Sequence, residues 1–160
     1  NEALSKLNQL NEFELHSIEQ PIRANQIQEM KLLCQQTPFP IALDEELIPN
    51  SANKEKLLRH IQPQFIILKP SLMGGFAGSR EWISTAETLG IKWWMTSALE
   101  SNVGLNAICQ FAKEFDNPLP QGLGTGKLYD NNFESPLTIA SGKIFYKKNQ
   151  EWDLNFFKSN

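Results

Sequence analysis

Short apolar runs recur along this chain with stretches of a different periodicity between them, and that alternation restricts the fold more than any other feature. The runs are FELHSI (13–18), FPIAL (39–43), QFIIL (64–68), IKWWMT (91–96) and, more weakly, QGLG (121–124). Between them apolar residues share helical faces: Ile27, Met30, Leu33 and Cys34; Leu57, Leu58 and Ile61; Trp82, Ile83, Ala86 and Leu89; and Ala107, Ile108, Phe111 and Phe115. Runs of strand length alternating with faces of period 3.6 predict βα units and a parallel sheet. The punctuation agrees. Gly90 is placed to stop a helix before Ile91, and Pro38 and Pro40 break the chain before Ile41. From about Ser135 the pattern changes, and LTIASGKIFYKK reads as two short strands around Ser141-Gly142, a hairpin-like tail.

The polar residues that close these runs carry the functional signal. Glu19 closes the first run, Asp44 the second and Lys69 the third, at equal intervals along the chain; Ser97 and Glu100 follow the fourth, and Gly122, Gly124 and Gly126 the fifth. In a parallel βα array all these ends lie on one face, where barrel enzymes assemble sites from several strand tips. Two carboxylates and an amine would therefore converge. Hard oxygen ligands on neighbouring strands suit Mg²⁺, and a lysine beside them suits proton transfer or charge stabilisation.

Composition narrows the classes. The 160 residues are enough for one domain with a real core, at 41% hydrophobic and 21% charged. A formal charge of −3 leaves no basic footprint for nucleic acid, and no stretch has the length of a membrane span. Cys34 and Cys109 lie in helical patterns and read as buried free thiols of a reducing cytoplasm.

Taken singly, each polar residue also has a plainer reading. Glu19 beside Pro21 could start a helix, Asp44 with Glu45 and Glu46 could form a solvated acidic turn, and Lys69 could snorkel from a strand end. Glu100 and Ser101 could cap the helix that begins near Asn102. GLGTG (122–126) lacks the residues of a P-loop or a dinucleotide fingerprint and reads by default as a flexible turn. His16 and His60 read as packed or hydrogen-bonded histidines, and the Trp93-Trp94 pair as one ring on each face of its strand.

SIEQPI around Glu19, IALDEEL around Asp44 and IILKPS around Lys69 resemble the consecutive strand-end motifs of the enolase superfamily, muconate-lactonising subgroup. TSALESNVGL (96–105) and GLGTG are most similar to its o-succinylbenzoate synthases. The resemblance covers nearly the whole chain. It implies the C-terminal part of a (β/α) barrel: about five βα units in residues 1–134, then a β tail over 135–160. It implies Mg²⁺, with Mn²⁺ as a substitute, held by Glu19 and Asp44 as two of three ligands. The metal would bind a small-molecule carboxylate substrate and stabilise the enediolate formed on α-proton abstraction. Lys69 would face the substrate from the far side and stabilise the enediolate by a cation–π contact. Ser97, Ser101 and the backbone near Gly122 would lie near the succinyl end.

The family's Lys-x-Lys motif and first metal carboxylate are expected upstream of Asn1, with the capping domain and first strands, so the missing N-terminal half is the implied partner. The oligomeric state is left open. Relatives on this scaffold racemise N-acylamino acids, epimerise dipeptides or cycloisomerise muconate, and a non-catalytic partial-barrel binding module is the competing class.

Overall fold

The computed structural model describes residues 2–153 and residue 155. Its elements are α1 (Glu2–Leu10), β1 (Ile18–Glu19), α2 (Ile27–Gln36), β2 (Ile41–Leu43), α3 (Lys54–Ile61), β3 (Phe65–Leu68), α4 (Gly75–Thr88), β4 (Lys92–Met95), α5 (Asn102–Lys113), β5 (Leu137–Ala140) and β6 (Lys143–Tyr146). Three short 3₁₀ turns lie between them, at Asn11–Phe13, Ile48–Asn53 and Pro70–Leu72. The chain divides into two compact units, the first ending at Trp94 and the second beginning at Met95.

In the first unit the expected alternation forms a sheet of order β1-β2-β3-β4, with β1, β2 and β3 parallel. All of β2 and β3 is buried, which fits parallel strands covered on both faces. Successive helices pack side by side, α1 against α2, α2 against α3 and α3 against α4. Their inward residues, Met30, Leu58, Ile61, Trp82 and Ala86, are fully buried with Ile41, Leu43, Ile66 and Leu68 from the strands. Gly90 ends α4 as expected: it sits at φ 70°, and Ile91 N–H closes back on the Ala86 carbonyl at 2.9 Å.

Two expected strands are shorter than their apolar runs. Of FELHSI, Phe13 ends a 3₁₀ turn begun at Asn11 and Ile18 starts a strand of only two residues, Ile18 and Glu19. Its apolar content goes elsewhere. Phe13 is exposed, and the His16 ring packs at 5.0 Å from Phe65 and 6.2 Å from Trp94, a packed histidine as expected. QGLG makes one parallel bridge, Thr96 to Gly122, in place of a fifth strand.

The second unit has a small core of Leu105, Ile108 and Leu123, against which Leu137 and Ile144 of the hairpin pack. β5 and β6 pair antiparallel from Leu137–Tyr146 to Ala140–Lys143. Ser141 at φ 49° and Gly142 at φ 70° form the two-residue turn, which needs positive φ at both positions. Cys34 is buried in α2, Cys109 is half-buried in α5, and both are free thiols. Burial pushes them up to about 12 and about 11, so neither carries appreciable thiolate near neutrality. Among the described residues no helix is long and apolar enough to cross a membrane.

Candidate functional site

Register explains why Glu19, Asp44 and Lys69 meet. Paired residues of β1, β2 and β3 are 23 apart in sequence, Ile18 with Ile41 and Ala42 with Phe65, whereas the three polar residues are 25 apart. Each therefore lies two residues further along its strand than the one before. A two-residue offset preserves the side to which a side chain points, because the strand repeats every two residues. The strand stagger that tilts a barrel's strands thus sends all three side chains to one side of the sheet at its C-terminal edge.

The geometry that results is a mixed-charge cluster. The Lys69 ammonium forms an ion pair with Asp44 Oδ2 and lies 4.0 Å from Glu19 Oε1. Asp44 is fully buried, Lys69 partly buried, and Glu19 half-exposed. The plainer readings do not hold here. Glu19 is in β1 and α2 starts eight residues later, so Glu19 starts no helix. The acidic turn is not solvated, because Asp44 and Glu46 are both 0% exposed and only Glu45 faces water. Lys69 does not snorkel away from the sheet; it pairs with Asp44.

Partial burial, and then the neighbouring Asp44 carboxylate to which a protonated Glu19 can hydrogen-bond, push the Glu19 carboxyl up to about 7 against the pull of Lys69. A folded-state value above the unfolded one means that folding takes up a proton. The stabilisation is complete below about pH 4.5 and is lost as pH rises through about 7. In chelator, the whole protein should thus lose thermal stability between about pH 5 and pH 8. Glu19→Gln, which cannot ionise, should flatten that slope. Parallel melting curves for the two proteins would show that Glu19 does not titrate there.

The donor set suits a hard divalent cation. Asp44 Oδ1 is buried and has no hydrogen-bond partner among the described residues, and a buried lone pair of this kind costs stability unless a cation or donor meets it. Glu19 presents a second carboxylate beside it. Among the described residues no group of three or more His, Cys, Asp and Glu side chains is arranged as a complete metal site.

Three residues hold this cluster in place: Gln20 and Asn25, which the sequence did not single out, and Glu46, which it read only as part of a solvated turn. The Gln20 side-chain oxygen accepts the backbone N–H of Asp44 at 3.1 Å and of Glu46 at 3.3 Å, and its amide nitrogen donates to the Ile22 carbonyl at 3.0 Å. The buried Glu46 carboxylate accepts Asn25 N–H with both oxygens, at 3.0 and 3.1 Å. The only local hint was that a Gln-Pro pair directly follows Glu19.

In the second unit, Ser97 and Glu100 build one tight turn. Ser97 Oγ donates to Glu100 Oε2 at 2.7 Å and accepts Leu99 N–H at 2.8 Å, while both Glu100 oxygens accept Ala98 N–H at 3.0 Å. This holds Leu99 at φ 65°, with its side chain half-exposed. The Ser97 hydroxyl proton is therefore committed within the turn. Ser101 occupies the N-cap position of α5 without a side-chain capping bond. The α5 N-terminus is instead satisfied from 30 residues away, where Asn132 Oδ1 accepts Asn102 N–H at 2.8 Å. Gly122 lies flat against Thr96: a Cβ there would come within 2.5 Å of Thr96 Oγ1, so glycine is required for the bridge. The GLGTG turn is also tied at Gly126, whose carbonyl accepts the Asn132 amide at 3.1 Å.

A family model described as Enolase C-terminal domain-like matches residues 1–149. The chain is 52% identical over 143 residues to an o-succinylbenzoate synthase from Desulfotalea psychrophila, covering 89% of this chain and 39% of that protein. The crystal structure of MenC from the same organism superposes with a TM-score of 0.86 at 51% identity, over 89% of this chain and 40% of that one. The L-Ala-D/L-Glu epimerase of Bacillus subtilis superposes at a TM-score of 0.79 with 20% identity, over 89% of this chain and 40% of that one, a likeness that shows the fold alone. The chain thus spans about two fifths of the length of these relatives. Its parallel strands and intervening helices are those of the C-terminal part of an enolase-superfamily barrel, and the chain belongs to the Enolase C-terminal domain-like family.

Proposed function

We propose that this chain is the C-terminal barrel portion of an o-succinylbenzoate synthase, which with the rest of its protein removes water from 2-succinyl-6-hydroxy-2,4-cyclohexadiene-1-carboxylate to give o-succinylbenzoate in menaquinone biosynthesis. The observation that carries the proposal is the 52% identity to a synthase along 89% of the chain. Identity to an L-Ala-D/L-amino acid epimerase from a Maribacter species is 30%, and to the N-succinylamino acid racemase of Thermus thermophilus 32%, each over a shorter stretch.

Glu19 and Asp44 are the residues we propose as metal ligands, Asp44 through its unpaired Oδ1. Mg²⁺ there would hold the substrate carboxylate and lower the energy of negative charge on its oxygens. Lys69 supplies a fixed positive charge. Its ion pair with Asp44 keeps it oriented, so no reorganisation is needed when negative charge develops on the substrate. The base that takes the α-proton is proposed to come from the remainder of the protein. In the second unit, Ser101, whose side chain makes no capping bond to α5, is proposed to meet a polar group of the substrate. The backbone near Gly122 is the other proposed contact; the N–H and carbonyl of Gly122 itself are spent on Met95, Thr96 and Ser97, and the missing side chain lets the chain lie against Thr96. Ser97 acts by holding the turn, since its proton is already given to Glu100.

The test is a substrate panel on the whole protein with Mg²⁺: dehydration to o-succinylbenzoate, N-succinylamino acid racemisation, dipeptide epimerisation and muconate cycloisomerisation. Dehydration is expected to have the highest kcat/KM. If one of the other substrates is turned over and dehydration is not, the synthase assignment is wrong although the superfamily chemistry stands. If none is turned over while the protein still binds a partner or metal, the non-catalytic reading replaces both.

A further inference from the structure

The loop after β1 is fastened to the turn after β2 at two points, and one of them joins the residue after Glu19 to the main chain of Asp44. At one end the Gln20 oxygen bridges the N–H groups of Asp44 and Glu46, while the Gln20 amide nitrogen is held by the Ile22 carbonyl. At the other end the Glu46 carboxylate takes Asn25 N–H with both oxygens. The backbone accepts strain to do this. Gln20 is at φ 37° and Asn25 at φ 69°, conformations that non-glycine residues adopt at a cost. Gln20 N–H still bonds the Ala42 carbonyl at 2.9 Å, so Gln20 ties its own strand to β2 through both its main chain and its side chain.

A bridge of this kind does something that the strand ladder cannot. β1 has two residues, and its last ladder contact is at Glu19 and Ala42. Beyond that point the β1–β2 ladder adds only the Gln20 N–H bond to the Ala42 carbonyl, and Asp44 lies two residues further on than Ala42. We infer that Gln20 is a positioning residue, and that with Glu46 it forms a clamp that sets the separation and orientation of the Glu19 and Asp44 carboxylates for a divalent cation. Gln20 touches neither cation nor substrate; it acts through the Asp44 main chain. An amide suits this position because it both accepts two N–H groups and donates once without adding further negative charge to a cluster of carboxylates.

The inference rests on the proposed metal role of Glu19 and Asp44, and the experiment separates the two. Mg²⁺ affinity of the whole protein is measured by calorimetry for wild type, Asp44→Asn, Gln20→Met and Glu46→Gln, with melting temperature in chelator and kcat and KM recorded alongside. Methionine nearly keeps the volume of glutamine and removes the accepting oxygen. Gln20→Met is expected to weaken Mg²⁺ binding about tenfold or more, in the range seen when outer-shell partners of metal ligands are removed. Glu46→Gln, which loosens the clamp from its other end, should weaken it in the same direction. The double variant should lose less than the product of the two, as parts of one device do. A Gln20→Met protein that melts earlier but binds Mg²⁺ and substrate as wild type does would reduce Gln20 to a structural role. Should Gln20→Met fail to fold, Glu46→Gln decides, and unchanged Mg²⁺ affinity there overturns the clamp. If Asp44→Asn itself binds Mg²⁺ normally, the metal assignment fails; if Asp44→Asn loses binding and neither clamp variant does, only the positioning role fails.

Discussion

Lys69→Ala in the whole protein should lower turnover on the order of a hundred- to a thousandfold, the loss expected when one pre-aligned charge stabiliser is taken from a developing anion. The same substitution strips Asp44 of its ion-pair partner. Because Asp44 is 0% exposed, its carboxylate would then be buried without compensation, at a cost of about 3–5 kcal/mol when nothing else neutralises it. That cost should be visible in chelator as a lowered melting temperature and should largely disappear at saturating Mg²⁺, where Asp44 has a cation again. Turnover should not recover with it. The contrast separates a lost catalytic charge from a lost fold. Near-normal turnover of a folded Lys69→Ala protein would remove Lys69 from the mechanism.

Asp44→Asn should weaken Mg²⁺ binding about a hundredfold or more, beyond the range that outer-shell partners command, because it removes the charge of a proposed direct ligand. Asparagine keeps the shape, and the Asp44 N–H bond to Gln20 belongs to the backbone and survives. The effect should therefore fall on affinity more than on packing. There is a second consequence within the cluster. Burial raises the Glu19 carboxyl most, Asp44 adds to it and Lys69 lowers it, so with Asp44 neutral the Lys69 ammonium at 4.0 Å is opposed only by burial and the weaker Glu45 charge. The Glu19 carboxyl should fall back toward the ordinary range, and the loss of stability through about pH 7 should shrink in chelator. Calorimetry showing unchanged Mg²⁺ affinity would rule out Asp44 as a ligand.

These two residues were visible in the sequence because each closes an apolar run, and a run's end depends only on its immediate neighbours. That their strand ends share one face was also legible from the parallel βα pattern, whereas the two-residue offset that sends the side chains to one side needed the register. Glu46 was not legible. In Asp44-Glu45-Glu46 three acids stand in a row, and the local sequence is the same whether they face water or the interior. What buries Glu46 is a main-chain N–H supplied by Asn25, 21 residues away. The cap of α5 follows the same logic. Ser101 stands where a capping serine belongs, yet the bond is made by Asn132 across a 30-residue interval.

By itself, the sequence determined the elements whose bonds close within a few residues: the helical faces, the Gly90 stop, the Ser141-Gly142 turn and the polar strand tips. Tertiary structure decided which of those polar groups are buried, which are paired and which are spent holding others. FELHSI shows the boundary between the two. Its apolar pattern favoured a six-residue strand, but a strand exists only where a neighbour completes its ladder, and β2 completes it at Ile18 and Glu19 alone. Local propensity is a property of a segment. Burial and pairing are properties of what packs against it, and desolvation makes those partners decisive for charged groups such as Asp44, Glu46 and Lys69.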